Sequence, residues 1–176
     1  MRITESTVRK ISILKEERDT INVFLEDFGP GAGRITIERV GEAWSHYWSH
    51  MGESHTITSF LAECDAPYLV NKLKPDMSSM VVDEDALPAH VRAAICCQRR
   101  EGDLSKKDAR RLFDRSELMG HHSEEGDFLY GVFGDEWWLQ LSEKPNPDYL
   151  DLKEIVQTVQ TALKTLNSPS TAAPAQ

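Results

Sequence analysis

The segment EAWSHYWSHMGESH, residues 42–55, combines side chains that could bind a metal ion. It contains three of the six histidines of the chain, His46, His50 and His55, and Cys64 follows nearby. Zinc requires three or four His, Cys or carboxylate ligands that converge at about 2.0–2.3 Å from the ion. These four residues suggest one hypothesis for the protein, a small metal-dependent hydrolase or nuclease.

The metal hypothesis depends on the secondary structure of this segment. In a helix, His46 and His50 would lie one turn apart on the same face. In a strand they also share a face, but they lie about 13 Å apart, which is too far to bind one ion. Trp and Tyr favour strands. We therefore predict a strand and keep the metal site as the alternative.

Other sequence signatures of catalysis are weak. His121 and His122 lie beside Glu124, Glu125 and Asp127 in a glycine-bounded segment, where we expect a solvated loop. Acid–base catalysis and metal binding need rigidly held side chains. The chain contains no GxSxG, GxxxxGK[ST] or HExxH motif, the patterns that position nucleophiles, phosphates and zinc. We expect no cofactor and favour a role without catalysis.

Residues 134–138, GDEWW, place two tryptophans directly after two acids. Neighbouring residues of a strand point to opposite faces, so one of Trp137 and Trp138 would be exposed. Asp135 and Glu136 would then border it. An exposed Trp in such a setting is typical of a hot spot for binding another protein. In the alternative arrangement, both tryptophans pack under the C-terminal helix.

Composition and charge limit the partners. The net charge of −9 argues against general binding to nucleic acid or anionic lipid, because both need a cationic face. The basic segment 99–115 also contains acids that compensate its charge. No apolar run reaches the roughly 20 residues of a membrane span, and the N-terminus lacks the apolar region of a secretory signal. We expect a cytoplasmic protein.

Cysteine usage agrees with a reducing compartment. Cys64, Cys96 and Cys97 are an odd number, and the last two are adjacent. Adjacent cysteines do not readily satisfy disulfide geometry with each other. We expect reduced thiols rather than a disulfide framework.

Alternating polar and apolar residues predict an N-terminal antiparallel sheet. Strands are indicated at 9–14, 20–25 and 34–40, with a turn at 29–33. A hairpin with Gly41 and Glu42 as its two turn residues would join the third strand to the aromatic segment. Arg39 would then lie opposite Trp44, Ile37 opposite His46, and Ile35 opposite Trp48. The tryptophans at 44 and 48 would share an apolar face with Ile35 and Ile37.

The period changes to that of helices in the second part of the chain. Short helices are indicated within 56–73, then at 86–100 and after 105, and a long one follows Asn146. The run 133–141 predicts a late strand, and 120–127 a polar loop. Early strands and late helices indicate an α+β fold. We expect a single domain over 1–166 and a disordered tail over 167–176.

Three stretches resemble a known group of proteins. RITIERVGEAWSHYWSHMG, TITSFLAECDAPYLVNKL and FGDEWWLQLSEKPNPDYL are similar to uncharacterised small accessory proteins of tailed phages and prophages of enteric bacteria. The resemblance implies a phage or prophage origin and action inside the host cell, but it implies no reaction and no functional residue. The negative charge, the missing catalytic motifs and the surplus of aromatic residues favour a non-enzymatic accessory protein that contacts an unknown host or phage protein. The sequence does not define its oligomeric state.

Overall fold

The computed structural model describes residues 3, 5, 7–14 and 19–167. The predicted α+β fold is confirmed: a four-stranded antiparallel sheet is followed by helices, and a long helix ends the described chain. The strands are β1 Arg9–Ile13, β2 Ile21–Gly29, β3 Ala32–Arg39, β4 Glu42–Trp48, β5 Met80–Val82 and β6 Glu143–Pro145. The helices are α1 Ile57–Glu63, α2 Ala66–Leu73, α3 Leu87–Glu101, α4 Lys106–Arg115, α5 Gly126–Phe133 and α6 Pro147–Asn167.

The contacts divide the chain into two compact units. Unit 1 comprises Met1–Met77 together with Pro147–Gln176, and unit 2 comprises Ser78–Asn146. The single domain over 1–166 stays a prediction. The predicted tail begins at residue 167, but Asn167 is the last residue of α6, and the rest of the tail lies outside the described residues.

The sheet of unit 1 has the strand order β1-β2-β3-β4. Its inner face carries alternating apolar residues because side chains of a strand point to opposite faces in turn. The prediction that Trp44 and Trp48 share this face with Ile35 and Ile37 is confirmed, and all four side chains are buried. The segment 42–48 is thus a strand and not a helix.

The hairpin between β3 and β4 corrects the predicted register. Ile37 lies opposite Trp44, and Arg39 lies opposite Glu42. The two turn residues are therefore Val40 and Gly41, with φ of 52° and 82°. Positive φ at both positions is the hairpin geometry that favours Gly second. The pairing has moved by two residues, so each side chain keeps its predicted face.

The first helices are fixed to the sheet by polar contacts. The backbone N–H of Ile57 donates to the Asp27 carboxylate at 2.7 Å, and Thr56 forms a capping box with Ser59 at the start of α1. α1, α2 and α6 pack on the inner face of the sheet and close the core of unit 1. Its fully buried side chains include Val23, Ile35, Ile37, Ile57, Leu61, Val70, Leu152 and Leu163.

Unit 2 has its own core, built mainly by α3 and α5. Its buried apolar residues are Leu87, Val91, Ile95, Ala109, Phe128, Leu129, Val132 and Leu141. The predicted strand over 133–141 is wrong, because Trp137–Gln140 form a 3₁₀ turn and β6 begins only at Glu143. The segment predicted as a polar loop instead contains a 3₁₀ turn and the first residues of α5.

Within the described residues, no helix has both the length and the apolar character needed to span a bilayer.

Candidate functional site

His46 lies on β4 beside the ring of Trp48. Its ring centroid is 4.5 Å from that of Trp48, in an edge-to-face arrangement. Burial lowers the pKa of His46 below its usual value, and the nearby charge of Lys72 lowers it further. The environment therefore favours the neutral imidazole at this position.

The other candidate ligands of the sequence hypothesis have separate surroundings. His50 Nδ1 lies 3.1 Å from the Ser49 hydroxyl, and His55 Nε2 lies 3.6 Å from the Glu63 carboxylate. The Cys64 thiol is half-buried, and burial raises its pKa, with a smaller effect from neighbouring acids. These four candidate ligands, all within the described chain, supply no group of three converging ligand atoms. Metal binding by them stays a prediction.

The two tryptophans of the GDEWW segment differ in exposure. Trp137 packs against the core of unit 2, whereas Trp138 is 57% exposed. Their ring centroids lie 6.0 Å apart in an edge-to-face arrangement, so the half-buried ring supports the exposed one. Asp135 and Glu136 are both exposed beside them. Of the two arrangements considered from the sequence, the structure has the one with a packed and an exposed ring, although the segment is a 3₁₀ turn and not the predicted strand.

The backbone places these side chains at the surface. Gly134 ends α5 with a φ of 76°, and Glu136 has the left-handed φ of 61° that few non-glycine residues adopt. The N–H of Leu139 then donates to the Glu136 carbonyl at 2.9 Å. We call Asp135, Glu136, Trp138 and Leu139 the aromatic surface, in which Leu139 is 68% exposed.

The basic segment, residues 99–115, forms the end of α3 and all of α4. Several of its cations are paired within the segment: Arg110 lies 3.0 Å from Asp114, and Arg111 lies 3.6 Å from Asp108. Both arginine side chains are largely exposed, so these pairs contribute little to stability. The carboxylates reduce the local positive charge that a nucleic acid would meet.

A cleft of about 420 Å³ lies between α3 and α4. Ile95, Ala109 and Phe113 supply apolar surface, and Arg99 and Arg100 are among the cations beside it. Such a lining could accept a ligand that combines an apolar body with an anionic group.

Two histidines that were predicted to be solvated loop residues meet a distant carboxylate in unit 2. His121 Nε2 lies 3.1 Å from Glu84 Oε1, and His122 Nδ1 is hydrogen-bonded to the same oxygen. The backbone N–H of His122 donates to Glu84 Oε2 at 3.2 Å. We call Glu84, His121 and His122 the imidazole–carboxylate cluster. Sequence reasoning found the histidines but not their partner, because Glu84 is 38 residues away from His122.

The electrostatics of the cluster favour a charged carboxylate. Desolvation acts to raise the pKa of Glu84, but hydrogen bonds from His122 and the nearby charges of both imidazoles outweigh it. The pKa of Glu84 therefore lies below its usual value. An ionised carboxylate beside two imidazole nitrogens can accept protons, hold hydrogen bonds or bind a cation.

The comparisons with known proteins give the family of the chain. No curated protein matches it, and no solved structure matches it. One family model, Phage_phiTE_072, described as a phage family, matches residues 1–165. The match covers both units and the aromatic surface. The chain therefore belongs to this phage protein family.

Proposed function

We propose that the protein is a non-enzymatic phage accessory protein that binds another protein in the cytoplasm of the infected cell. The observation that carries this proposal is the exposed Trp138 ring at the centre of the aromatic surface. Single exposed apolar residues are common on proteins. Here, however, the exposed Trp and Leu are consecutive, and two exposed carboxylates precede them.

The rigidity of the aromatic surface supports a binding role. Trp138 packs edge-to-face on Trp137, which is itself packed against the core of unit 2. A Trp held in this way loses little conformational entropy when a partner covers it. Large aromatic anchors of this type contribute most of the binding free energy at many interfaces.

The charges beside the ring define the partner that it fits. Asp135 and Glu136 are exposed, and the chain has a net charge of −9. The complementary partner is a host or phage protein with an apolar pocket that accepts the Trp138 ring and with Lys or Arg residues at the rim. Opposite charges at an interface rim mainly increase the association rate and fix the orientation.

The test compares three forms of the full-length protein in infected cells: the wild type, Trp138→Ala and Leu118→Ala. Leu118 is 85% exposed and lies in the same unit outside the aromatic surface, so it serves as the matched control. Each form is purified from the cells together with the proteins bound to it. We expect the same partner protein to co-purify with the wild type and Leu118→Ala, and to be absent with Trp138→Ala. With the purified partner, Trp138→Ala should raise Kd by about 30-fold, the equivalent of a hot spot of about 2 kcal/mol.

Charge variants test the chemistry of the partner. Asp135→Asn combined with Glu136→Gln should weaken binding and make it less sensitive to salt, because the screened attraction is lost. A partner whose Kd is the same for the wild type and Trp138→Ala would contradict the proposal. Binding that strengthens in the charge variant would contradict the basic rim.

A further inference from the structure

We infer that Glu84, His121 and His122 form a binding site for a divalent transition metal ion, and that Zn²⁺ fits these ligands best. Each residue offers one ligand atom, and the three atoms all lie within 4.8 Å of one another. Tetrahedral ligands with bonds of about 2.1 Å are separated by about 3.4 Å. Glu84 Oε1 lies 3.1 Å from His121 Nε2 and is hydrogen-bonded to His122 Nδ1, so the carboxylate has to move slightly away from the two imidazoles to admit an ion between the three atoms.

The chemistry of the ligands selects the class of metal. Two imidazole nitrogens and one carboxylate oxygen suit zinc and neighbouring transition metals. Mg²⁺ and Ca²⁺ prefer sets made of oxygen atoms. Three protein ligands leave a fourth coordination position for water or another small ligand.

Contacts of Glu84 itself and of its two neighbours in sequence hold the carboxylate of the site in place. The backbone N–H of His122 donates to Glu84 Oε2, which leaves Oε1 facing the two imidazoles. Lys144 lies 3.2 Å from Asp83 and 2.7 Å from Asp85, so the residues that flank Glu84 are tied to β6. Contacts that orient a ligand in this way are a regular feature of metal sites.

The histidine loop is fixed by a second carboxylate. Glu125 accepts a hydrogen bond from the backbone N–H of Gly120 at 3.3 Å and pairs with Arg115 at 2.8 Å. Between these ends, the N–H of Glu124 donates to the His121 carbonyl at 2.9 Å. These contacts hold the loop rigidly, although its glycine-bounded sequence predicted a solvated loop. A metal site requires such rigidity.

Hydrogen bonding also sets which nitrogen of His121 faces the site. Its Nδ1 lies 2.8 Å from the Ser123 hydroxyl, while Nε2 lies 3.1 Å from Glu84. A histidine that binds a metal through one nitrogen usually has a hydrogen-bond partner on the other. The cluster is also accessible, since the side chains of His121, Glu84 and His122 are 57%, 32% and 26% exposed. An ion can therefore reach the three ligand atoms from solvent.

The test is calorimetric titration of the untagged full-length protein with ZnCl₂ in a buffer that does not bind zinc. We expect one ion per chain. Loss of an outer-shell contact typically costs about 10- to 100-fold in metal affinity, so Glu84→Gln and His121→Ala should each lose at least that much. Mg²⁺ in excess should not compete.

Matched controls separate this site from general binding to surface groups. His50→Ala and His55→Ala remove imidazoles of unit 1 that lie outside the cluster, and both should leave the zinc affinity unchanged. His121 is exposed, so His121→Ala tests the site even if Glu84→Gln fails to fold. The ring resonances of two histidines should shift in nuclear magnetic resonance spectra on addition of zinc. One of these two resonances should be missing from the spectrum of His121→Ala, and the other from that of His122→Ala.

Three outcomes would overturn the inference. The first is no binding of one ion per chain, which would leave the cluster as a hydrogen-bonded brace of the loop. The second is a folded His121→Ala variant with the affinity of the wild type. The third is a loss of affinity in His50→Ala or His55→Ala as large as that in His121→Ala.

Discussion

The side-chain amide of Gln160, on α6, donates to the backbone carbonyl of Cys64 at 2.6 Å. The same nitrogen lies 2.9 Å from the carbonyl of Leu61. Both carbonyls belong to the end of α1, where the last turn of a helix leaves acceptors without intrahelical partners. A buried glutamine of the final helix thus completes the hydrogen bonds of a helix that precedes it by almost 100 residues.

The first prediction follows from this contact. Gln160→Leu keeps a side chain of similar volume but removes the N–H donor to the two carbonyls. Leaving buried acceptors without a hydrogen bond costs about 1–3 kcal/mol. We expect the free energy of unfolding, measured by urea titration, to fall by about that amount. Gln157→Leu, at an exposed position of the same helix, is the control and should change it by less than about 0.5 kcal/mol. Equal effects of the two substitutions would refute this account.

The second prediction concerns strain in the β3–β4 turn. Val40 has a φ of 52°, a conformation that is costly for a β-branched residue, and its side chain is 72% exposed. Val40→Asn should therefore stabilise the protein by about 1 kcal/mol, since Asn tolerates this conformation. A rise in Tm of about 2–4 °C would correspond to it. Val40→Ile keeps the strain and should give no increase.

The third prediction concerns two glycines at which the same substitution, Gly→Ala, should change the free energy of unfolding in opposite directions. A Cβ on Gly33 would lie 2.8 Å from the Ile57 Cβ and 2.9 Å from the Glu26 carbonyl oxygen, so Gly33→Ala should destabilise unit 1 by about 1–3 kcal/mol. A Cβ on Gly131, in α5, would meet nothing within 4 Å. Gly131→Ala should stabilise by about 0.5–1 kcal/mol. Urea titration of both variants tests the pair, and a neutral Gly33→Ala would contradict the close packing.

The fourth prediction is a pH dependence caused by His46. Burial, and to a lesser degree the charge of Lys72, lower its pKa below 6.5 in the folded protein. As pH falls below about 6.5, the unfolded chain therefore takes up a proton at this position before the folded chain does. The contribution to stability is complete above that pH and is lost as pH falls toward the lowered folded value.

Urea midpoints at a series of pH values between 7.5 and about 5 test the contribution of His46. The midpoint of the wild type should fall more steeply than that of His46→Gln, which cannot take up the proton. Lys72→Gln should give an intermediate slope, because it removes one of the two causes. Parallel curves for the wild type and His46→Gln would show that His46 makes no such contribution.

The sheet of unit 1 was predictable because its signal is local. Ile35, Ile37, Trp44 and Trp48 alternate with polar residues, and this alternation alone determines which face is buried. The register was not predictable to the same degree. A turn at Val40–Gly41 and one at Gly41–Glu42 give the same faces, and the choice depends on the turn geometry, which favours Gly at the second position, rather than on the apolar pattern.

Unit 2 was harder to predict because its elements are short and its contacts distant. α5 has only eight residues, too few for a clear helical period, and Trp137 and Trp138 suit a strand by type but lie in a 3₁₀ turn. Three residues of the aromatic surface, Asp135, Glu136 and Trp138, were singled out from the sequence because they lie close together in it, whereas Leu139 was not. The imidazole–carboxylate cluster was not predicted, because a contact between Glu84 and His122 leaves no local pattern.

Unit 2 is inserted into the chain of unit 1 between α2 and α6. Its two ends adjoin: the Asn146 side chain donates to the Ser78 carbonyl at 2.8 Å, and the Asn146 N–H donates to the Ser79 carbonyl at 3.0 Å. Because the two ends of unit 2 lie side by side, its coding sequence could be inserted, removed or exchanged as one continuous segment. A short linker would then suffice to join the two parts of unit 1.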